Sequence, residues 1–267
     1  MIREARARVG GRDVRYLEAG AGWPVLLIHA FPVTADMWRP QLERVPEGWR
    51  FIAPDVRGFG RDGAQAGAFT MDDAADDLGA FMDHLKLDQA VIGGLSMGGY
   101  ITLALSRRSP ERFGGMILAD TKADADTPEA RDGRRKMIEL ARSKGAGAVA
   151  DQMLPKLLSA DARDRQPQLA SSIRRMAGSI SVEGLAAALE AMIGRPDSMP
   201  GLSRINCPVL ILVGAADEVT PEASARAMEK HIERSRVVVL PDAGHLSNLE
   251  SPDAFSRAVA DFLTSNM

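Results

Sequence analysis

Six short apolar runs form the main hydrophobic pattern of the chain, and polar or amphipathic segments separate them. The runs occupy residues 25–28, 51–53, 90–92, 116–118, 208–213 and 237–240. Their apolar residues are continuous rather than alternating, which is typical of strands buried on both faces of a parallel sheet. Residues 13–18 alternate instead, and this pattern predicts an antiparallel strand at the edge of the sheet.

Helical patterns lie between the predicted strands. Residues 70–85 begin with Thr70, a residue type that caps helix N-termini, and carry apolar side chains at helical spacing. Residues 97–108 and 252–263 predict two further helices. Because strands and helices alternate along the chain, the pattern predicts an α/β fold with a doubly wound, mostly parallel sheet and right-handed crossovers.

The alternation stops between residues 121 and 204, where no strand-like run occurs. Helical patterns continue there over residues 129–143, 149–158 and 182–193. The simplest interpretation is a helical cap, residues 121–204, inserted into a core domain that residues 1–120 and 205–267 form together. We expect the apolar faces of the cap to cover the carboxyl edge of the sheet.

The composition narrows the class of protein. A chain of 267 residues with 45% hydrophobic and 26% charged residues can bury a sizeable core. A net charge of −3 gives no electrostatic basis for binding nucleic acid or an anionic membrane. The single cysteine, Cys207, cannot form an internal disulfide. With neither a signal-like N-terminus nor an apolar run near the roughly 20 residues of a membrane span, a cytoplasmic location is expected.

The sequence Gly-Leu-Ser-Met-Gly at residues 94–98 fits the pattern G-x-S-x-G between a predicted strand and a predicted helix. A serine at such a turn is held in a strained conformation with its hydroxyl exposed, and its neighbours two residues away must be small. Ser96 is therefore the candidate nucleophile. The N–H of Met97, at the helix N-terminus, would point at a developing oxyanion. An ordinary glycine-rich turn is the alternative.

A serine hydroxyl needs a base, and four histidines are available. Only His245 lies in a loop after a late strand, where an α/β sheet places its chemistry. Asp217 follows the longest predicted strand and would orient this base, which gives the chain order Ser, Asp, His. Two other carboxylates remain alternatives for the acid, Glu218 and Asp120.

A second oxyanion donor is expected in the loop after the first buried strand, His29-Ala30-Phe31-Pro32. The N–H of Phe31 is the candidate. His29 fits a role in bracing this loop better than a role in catalysis.

Five segments taken together resemble the α/β-hydrolase superfamily. They are HAFP (29–32), DVRGFG (55–60), GLSMGGY (94–100), GAADEVTP (214–221) and DAGHLSNLESPDAF (242–255). The resemblance implies the α/β-hydrolase fold, with a sheet of about eight strands and an inserted helical cap. It also implies Ser96 as nucleophile, Asp217 as acid, His245 as base, and Phe31 and Met97 as oxyanion donors. Within the superfamily, GLSMGGY together with GHLSNLESP is most similar to the 3-oxoadipate enol-lactonase and small-ester esterase branch.

Two positions refine this resemblance. The common His-Gly opening of the oxyanion loop is His-Ala here, and Ala30 fits wherever the backbone needs no positive φ. This departure bears on the size of the acyl pocket rather than on catalysis. A serine at position 96 argues against the dehalogenase and epoxide-hydrolase branches, which would require a carboxylate there.

These features predict a serine esterase or lactonase that works through an acyl-enzyme without a metal or cofactor. Its expected partner is a small-molecule ester or lactone, not nucleic acid or a membrane, and its expected state is a monomer or homodimer. Carbon–carbon bond hydrolysis, thioester hydrolysis, cofactor-free perhydrolysis and non-catalytic ligand binding remain alternatives. Five cap arginines could hold a substrate carboxylate, although interleaved acidic residues favour a solvated helix face: Arg131, Arg134, Arg135, Arg174 and Arg175.

Overall fold

The computed structural model describes residues 1–60 and 67–266, and within them eight strands form one sheet. The strands are β1 (Arg3–Val9), β2 (Arg12–Gly20), β3 (Trp23–Ile28), β4 (Trp49–Pro54), β5 (Ala90–Leu95), β6 (Phe113–Ala119), β7 (Val209–Gly214) and β8 (Ser235–Leu240). Their order across the sheet is β1-β2-β4-β3-β5-β6-β7-β8. The pairs from β4 to β8 are parallel. All six apolar runs are therefore parallel strands, as the continuous burial pattern predicted.

The predicted edge strand is antiparallel but does not lie at the edge. Residues 13–18 belong to β2, which pairs antiparallel with both β1 and β4. The edge strand is β1, which sequence analysis missed. Its pattern alternates arginine and glutamate with Ala5, Ala7 and Val9, and two small alanines give a weak apolar signal.

Eleven α-helices accompany the sheet in the described residues. They are α1 (Arg39–Leu42), α2 (Met71–His84), α3 (Met97–Arg108), α4 (Pro128–Lys144), α5 (Ala146–Leu157), α6 (Ala160–Arg165), α7 (Pro167–Gly178), α8 (Val182–Ile193), α9 (Glu222–Glu229), α10 (Ser247–Glu250) and α11 (Pro252–Asn266). In residues 1–60 and 67–266, no helix taken singly has the length and apolarity of a membrane span. The bent pair α7 and α8, at 98°, passes the same length and composition test only when joined.

The two faces of the sheet carry separate apolar layers. Leu26 and Ile92 pack in the layer that contains α2 and α3. Val25 and Val91 pack in the layer that contains α1 and α11. Successive strand residues point to opposite faces, so helices on both sides bury every strand side chain in the centre of the sheet. The predicted doubly wound arrangement is confirmed.

Helix α2 begins as its sequence predicted. The backbone N–H of Asp73 donates to Thr70 Oγ1 at 3.1 Å, and the backbone N–H of Thr70 donates to Asp73 Oδ2 at 2.7 Å. This reciprocal capping box satisfies two N–H groups that have no partner inside the helix, and such a cap contributes about 1 kcal/mol.

Five helices, α4 to α8, lie between β6 and β7, where the sequence predicted a helical insertion. The predicted segments 129–143, 149–158 and 182–193 correspond to α4, α5 and α8. The predicted segments do not include α6 and α7. Only Ala162 is buried in the six-residue α6, whereas α7 buries Ile173, Met176 and Ala177. Strands β6 and β7 are parallel neighbours in the sheet, so the insertion leaves at the carboxyl end of β6 and the chain enters β7 at its amino end. The assignment of this insertion as a separate cap domain stays a prediction.

A buried ion network ties the two ends of the insertion together. Asp126, near its start, accepts from Arg195 Nη2 at 3.0 Å near its end and from Arg134 Nε at 2.5 Å in α4. Burial alone would raise the pKa of Asp126, but the two arginines hold it below its ordinary value. The Arg195 guanidinium also stacks 4.1 Å from the ring centroid of Tyr100 in α3, which fixes the insertion to the core.

The insertion also touches the core through glycine. A Cβ placed on Gly184, in the first turn of α8, would overlap the carbonyl oxygen of Gly58 in the loop after β4. Only a residue without a side chain allows the two backbones to approach so closely. Helix α8 therefore rests directly on the loop that carries Phe59.

Candidate active site

Ser96 occupies the sharp turn between β5 and α3. Its φ is 55° and its ψ is −112°, a conformation that is costly for a residue with a side chain. A Cβ on Gly94 would overlap the backbone of Gly98, and a Cβ on Gly98 would overlap the Ile28 carbonyl. The predictions of a strained serine and of small neighbours are confirmed. The residue is 8% exposed, so the turn lies at a covered position.

The backbone of Ser96 is fixed from the neighbouring strand. Its N–H donates to the Ala119 carbonyl at 3.0 Å, at the end of β6. Its own carbonyl accepts from Thr121 Oγ1 at 2.8 Å. These two bonds hold the strained turn in place, which is what a strained conformation needs to persist.

His245 and Asp217 meet at the carboxyl ends of β8 and β7. His245 Nδ1 lies 2.9 Å from Asp217 Oδ2, and both side chains are buried. A carboxylate can only accept, so Nδ1 carries the proton of this bond and Nε2 is the ring nitrogen left to act on a substrate. The sequence predicted this pairing, and the structure brings the two residues together.

The Asp217 carboxylate is held by four donors. Besides His245, its Oδ1 accepts from the backbone N–H groups of Val219 at 2.8 Å and Thr220 at 2.9 Å. Its Oδ2 also accepts from Thr220 Oγ1 at 2.7 Å. Burial alone would raise the pKa of Asp217, but His245 and these hydrogen bonds hold it below its ordinary value. The carboxylate is therefore ionised at neutral pH.

Ser96 and His245 do not share a hydrogen bond within residues 1–60 and 67–266. Both lie at carboxyl ends of parallel strands in one sheet, β5 for the serine and β8 for the histidine. Hydrogen bonds between nucleophile and base are often long before substrate binds and tighten in the reacting complex. The geometry thus presents a formed acid–base pair and a strained serine on the same edge of the sheet.

In the described part of the chain, the two residues predicted as oxyanion donors are buried and have backbone amides without a protein acceptor. Among the described residues, the N–H groups of Phe31 and Met97 donate no hydrogen bond to protein, although both residues are buried. Buried N–H groups without an acceptor are rare in folded proteins. The sequence predicted oxyanion donors at these two positions, and that role stays a prediction.

His29 braces the loop that carries Phe31. Its Nε2 accepts from the backbone N–H of Val56 at 3.0 Å, and its Nδ1 lies 2.9 Å from the Ala30 carbonyl. Burial lowers the pKa of His29, so the ring stays neutral with its proton on Nδ1. The ring also packs edge-on against Phe59, 4.7 Å between centroids. This arrangement matches the bracing role that the sequence favoured.

Ala30 fits the loop without strain. Three non-glycine residues have positive φ in the described chain, Lys86, Ser96 and Asp120, and Ala30 is not among them. Its backbone N–H contacts Met37 Sδ at 3.2 Å. Alanine therefore replaces glycine here at no conformational cost.

The structure also separates the alternatives for the acid. Glu218 is exposed. Asp120 is fully buried, but its carboxyl bonds to the backbone N–H of Gly214 and to the hydroxyl of Ser247 rather than to His245. Of the five cap arginines, Arg135 and Arg174 pair with surface aspartates, as a solvated face predicts, whereas Arg134 joins the buried Asp126 network.

Some supporting residues escaped sequence analysis. Thr220, which holds Asp217, follows the acid by three residues and carries only a weak local signal. Asp120 and Ser247 lie 127 residues apart, and no local pattern reveals their contact. In the described part of the chain, no group of three or more His, Cys, Asp or Glu side chains has the arrangement of a metal site.

The sheet order and inserted helices are the architecture of an α/β hydrolase. A family model described as the alpha/beta hydrolase fold matches residues 24–252 of the chain. The chain therefore belongs to the α/β-hydrolase family, and its general activity is that of a hydrolase.

Similar proteins include both lactonases and esterases. The 3-oxoadipate enol-lactonase 2 of Acinetobacter baylyi is 32% identical over 84% of this chain and 82% of its own length. The crystallised enol-lactonase from Burkholderia xenovorans is 32% identical with a TM-score of 0.90, covering 98% of this chain and 100% of that one. A thermophilic esterase from Thermogutta terrifontis, solved with malate bound, is 38% identical with a TM-score of 0.90 over 98% of both chains. The predicted resemblance to the enol-lactonase and esterase branch is confirmed.

Proposed function

We propose that the chain hydrolyses small carboxylic esters or lactones through an acyl-enzyme on Ser96. The observation that carries this proposal is the 2.9 Å bond between His245 Nδ1 and Asp217 Oδ2, on the same sheet edge as the strained Ser96. Similarity to esterases and enol-lactonases supports a carboxylic ester or lactone as the bond that is cleaved.

The first half of the reaction forms the acyl-enzyme. Ser96 Oγ attacks the carbonyl carbon while His245 Nε2 takes its proton, and Asp217 stabilises the imidazolium that forms. The amides of Phe31 and Met97 bind the oxyanion of the tetrahedral intermediate. His245 then donates the proton to the leaving alcohol oxygen, and the C–O bond breaks.

The second half regenerates the enzyme. Water attacks the acyl carbon, gives its proton to His245, and the collapse of the second oxyanion returns the proton to Ser96. His245 is only 1% exposed and Asp217 is buried, so these charges act in surroundings with little screening by water. Preorganised donors at such a site stabilise developing charge more strongly than donors in water.

Hydrolysis of p-nitrophenyl acetate, butyrate and octanoate by wild type and Ser96→Ala tests the proposal. We expect kcat of the variant to fall by about a thousandfold or more, since the nucleophile is lost. Ser106→Ala removes another hydroxyl of the helix that follows Ser96, one that donates to the Leu103 carbonyl, and serves as the matched control. Equal activity of wild type and Ser96→Ala would refute nucleophilic catalysis by Ser96.

A substrate panel separates the ester proposal from its alternatives. Lactones, including an enol-lactone, are measured beside aryl esters, thioesters and carbon–carbon bond substrates on the same preparation. We expect the highest kcat/KM among esters and lactones. Turnover confined to thioesters or to carbon–carbon bonds would replace the proposed substrate class while keeping the triad, and labelling of Ser96 by an organophosphonate would then still occur. Absence of both labelling and turnover would favour a binding role.

A further inference from the structure

A buried carboxyl group lies between the two loops that carry Asp217 and His245. Asp120 follows β6 and is fully buried. Its Oδ1 accepts from the backbone N–H of Gly214 at 2.8 Å, and its Oδ2 shares a hydrogen bond with Ser247 Oγ. Gly214 stands three residues before Asp217, and Ser247 stands two residues after His245. One side chain therefore joins the loop of the acid to the loop of the base.

The backbone around Asp120 extends this connection to the nucleophile. The N–H of Asp120 donates to the Leu212 carbonyl in β7 at 2.8 Å. The carbonyl of the preceding residue, Ala119, accepts from the N–H of Ser96 at 3.0 Å. The segment 119–120 thus contacts all three chain regions that bear the proposed catalytic residues.

The conformation of Asp120 indicates a constrained position. Its φ is 42°, in the left-handed region that aspartate and asparagine tolerate better than most residues with a side chain. A residue held there by hydrogen bonds on both carboxyl oxygens has little freedom to move. Its bonds go to Gly214 and Ser247, so Asp120 does not contact the reacting atoms.

The electrostatic surroundings favour the neutral acid. Burial raises the pKa of Asp120 well above its ordinary value, and the nearby charge of Asp217 acts in the same direction, as does that of Glu250. The carboxyl group accepts both of its hydrogen bonds, at Oδ1 from the Gly214 N–H and at Oδ2 from the Ser247 hydroxyl. Asp120→Asn keeps an oxygen for the Gly214 N–H and turns an NH₂ towards Ser247 Oγ, which as a hydroxyl can accept as well as donate.

We propose that Asp120 is a positioning residue that holds the Asp217 loop and the His245 loop in register through Gly214 and Ser247. The role rests on the proposed acyl-enzyme mechanism of Ser96. It deepens that mechanism by fixing where His245 Nε2 points relative to the serine. Displacements of about 1 Å at a catalytic group can reduce rates on the order of a hundredfold, so such a support affects kcat before it affects binding.

Steady-state kinetics of Asp120→Ala, Asp120→Asn and Ser247→Ala test the role on the preferred ester. We expect kcat to fall about 10- to 100-fold in Asp120→Ala and Ser247→Ala, with KM within about twofold. Asp120→Asn restores kcat to within about threefold of wild type, because it keeps both hydrogen bonds and suits the same φ. The double variant Asp120→Ala/Ser247→Ala loses no more than the worse single variant, since the two residues share one bond.

Two controls separate positioning from a loss of folded protein. Ser256→Ala removes a hydroxyl on α11 that has no hydrogen-bond partner in the described structure, and its kcat stays at the wild-type value. Organophosphonate titration of Ser96 counts the active sites, so kcat refers to folded enzyme only. Ser247→Ala leaves the constrained backbone at residue 120 untouched.

The outcomes also distinguish this inference from the proposed function. Full activity of Ser96→Ala refutes the acyl-enzyme mechanism itself. Loss of activity in Ser96→Ala together with wild-type kcat per titrated site in Asp120→Ala and Ser247→Ala overturns the positioning role alone. Failure of Asp120→Asn to restore kcat also overturns it, because hydrogen bonding through this side chain would then not be the cause.

Discussion

The hydroxyl of Thr220 donates a 2.7 Å hydrogen bond to Oδ2 of Asp217, the same oxygen that accepts the proton of His245 Nδ1. Two donors on one oxygen fix both the position of the carboxylate and its charge. The backbone N–H of Thr220 holds the other oxygen at 2.9 Å, so a single residue contacts both ends of the carboxylate. The loop of Asp217 therefore orients the carboxylate through contacts that do not involve His245.

Thr220→Val removes this hydroxyl while keeping the shape of the side chain. A hydrogen bond to a charged group contributes about 1.5–3 kcal/mol, so we expect kcat to fall about 10- to 100-fold as the carboxylate becomes less well oriented. Steady-state hydrolysis of a p-nitrophenyl ester by wild type and Thr220→Val measures this fall in kcat. Thr264→Val, which removes a hydroxyl bonded to the Ala260 carbonyl in α11, is the matched control. A wild-type kcat in Thr220→Val would contradict the orienting role.

Asp217→Asn tests the assignment of the acid. An amide that presents its NH₂ to His245 favours the wrong tautomer of the ring, and we expect kcat to fall by about 10³- to 10⁴-fold. The exposed neighbour Glu218 supplies a matched control, since Glu218→Gln makes the same chemical change one residue away. The assignment is wrong if Glu218→Gln loses more activity than Asp217→Asn.

The raised pKa of the buried Asp120 should make the free energy of unfolding depend on pH. Its pKa is raised in the folded state, so the unfolded chain releases this proton first as pH rises above about 4. The associated stability is present below the unfolded pKa and is lost as pH rises towards the folded pKa. Asp120→Asn cannot titrate. We therefore expect the unfolding free energy of Asp120→Asn, relative to that of wild type, to rise by up to about 1.4 kcal/mol per pH unit in that interval.

Urea unfolding of both proteins at pH 5 and pH 8 measures this difference. Glu250, whose pKa burial also raises, is present in both proteins and cancels in the comparison. A difference in unfolding free energy that stays constant between the two pH values would show that Asp120 does not retain its proton on folding.

Gly184→Ala tests the contact between the insertion and the core. The new methyl group would overlap the Gly58 carbonyl, and we expect a loss of about 1–3 kcal/mol of unfolding free energy. We also expect KM to change, because α8 and the loop of Phe59 must separate. Gly178→Ala, in α7, has open space around its Cβ and should gain about 0.5–1 kcal/mol. Equal stabilisation by Gly184→Ala and Gly178→Ala would show that the close approach of Gly184 to Gly58 does not contribute to stability.

Features with a local cause could be predicted from the sequence. The run at 208–213 is apolar without interruption because both faces of β7 are covered. The candidate nucleophile Ser96 can be recognised because its turn requires glycine at positions 94 and 98. This requirement is visible within a motif of five residues. The order Ser, Asp, His along the chain is the one expected of the α/β-hydrolase fold. The parallel strands and the proposed catalytic residues were therefore accessible to pattern analysis.

Features that depend on distant partners could not be predicted. Strand β1 is identified by its pairing with β2, since its alternating alanines and arginines carry little apolar signal of their own. Asp126 and Arg195 are separated by 69 residues, and the local sequence around each does not distinguish it from an ordinary surface charge. The sequence presents Asp120 only as an alternative acid, because its contact with Ser247 joins residues 127 positions apart.

The adjacency of β6 and β7 has an evolutionary consequence. The long excursion connects two neighbouring strands, and the Asp126–Arg195 ion pair joins its beginning to its end. The intervening helices can be exchanged, shortened or remodelled as one cassette without disturbing a single strand pairing. A lineage built on this scaffold can thereby diversify the molecules it admits while inheriting its reactive groups unchanged.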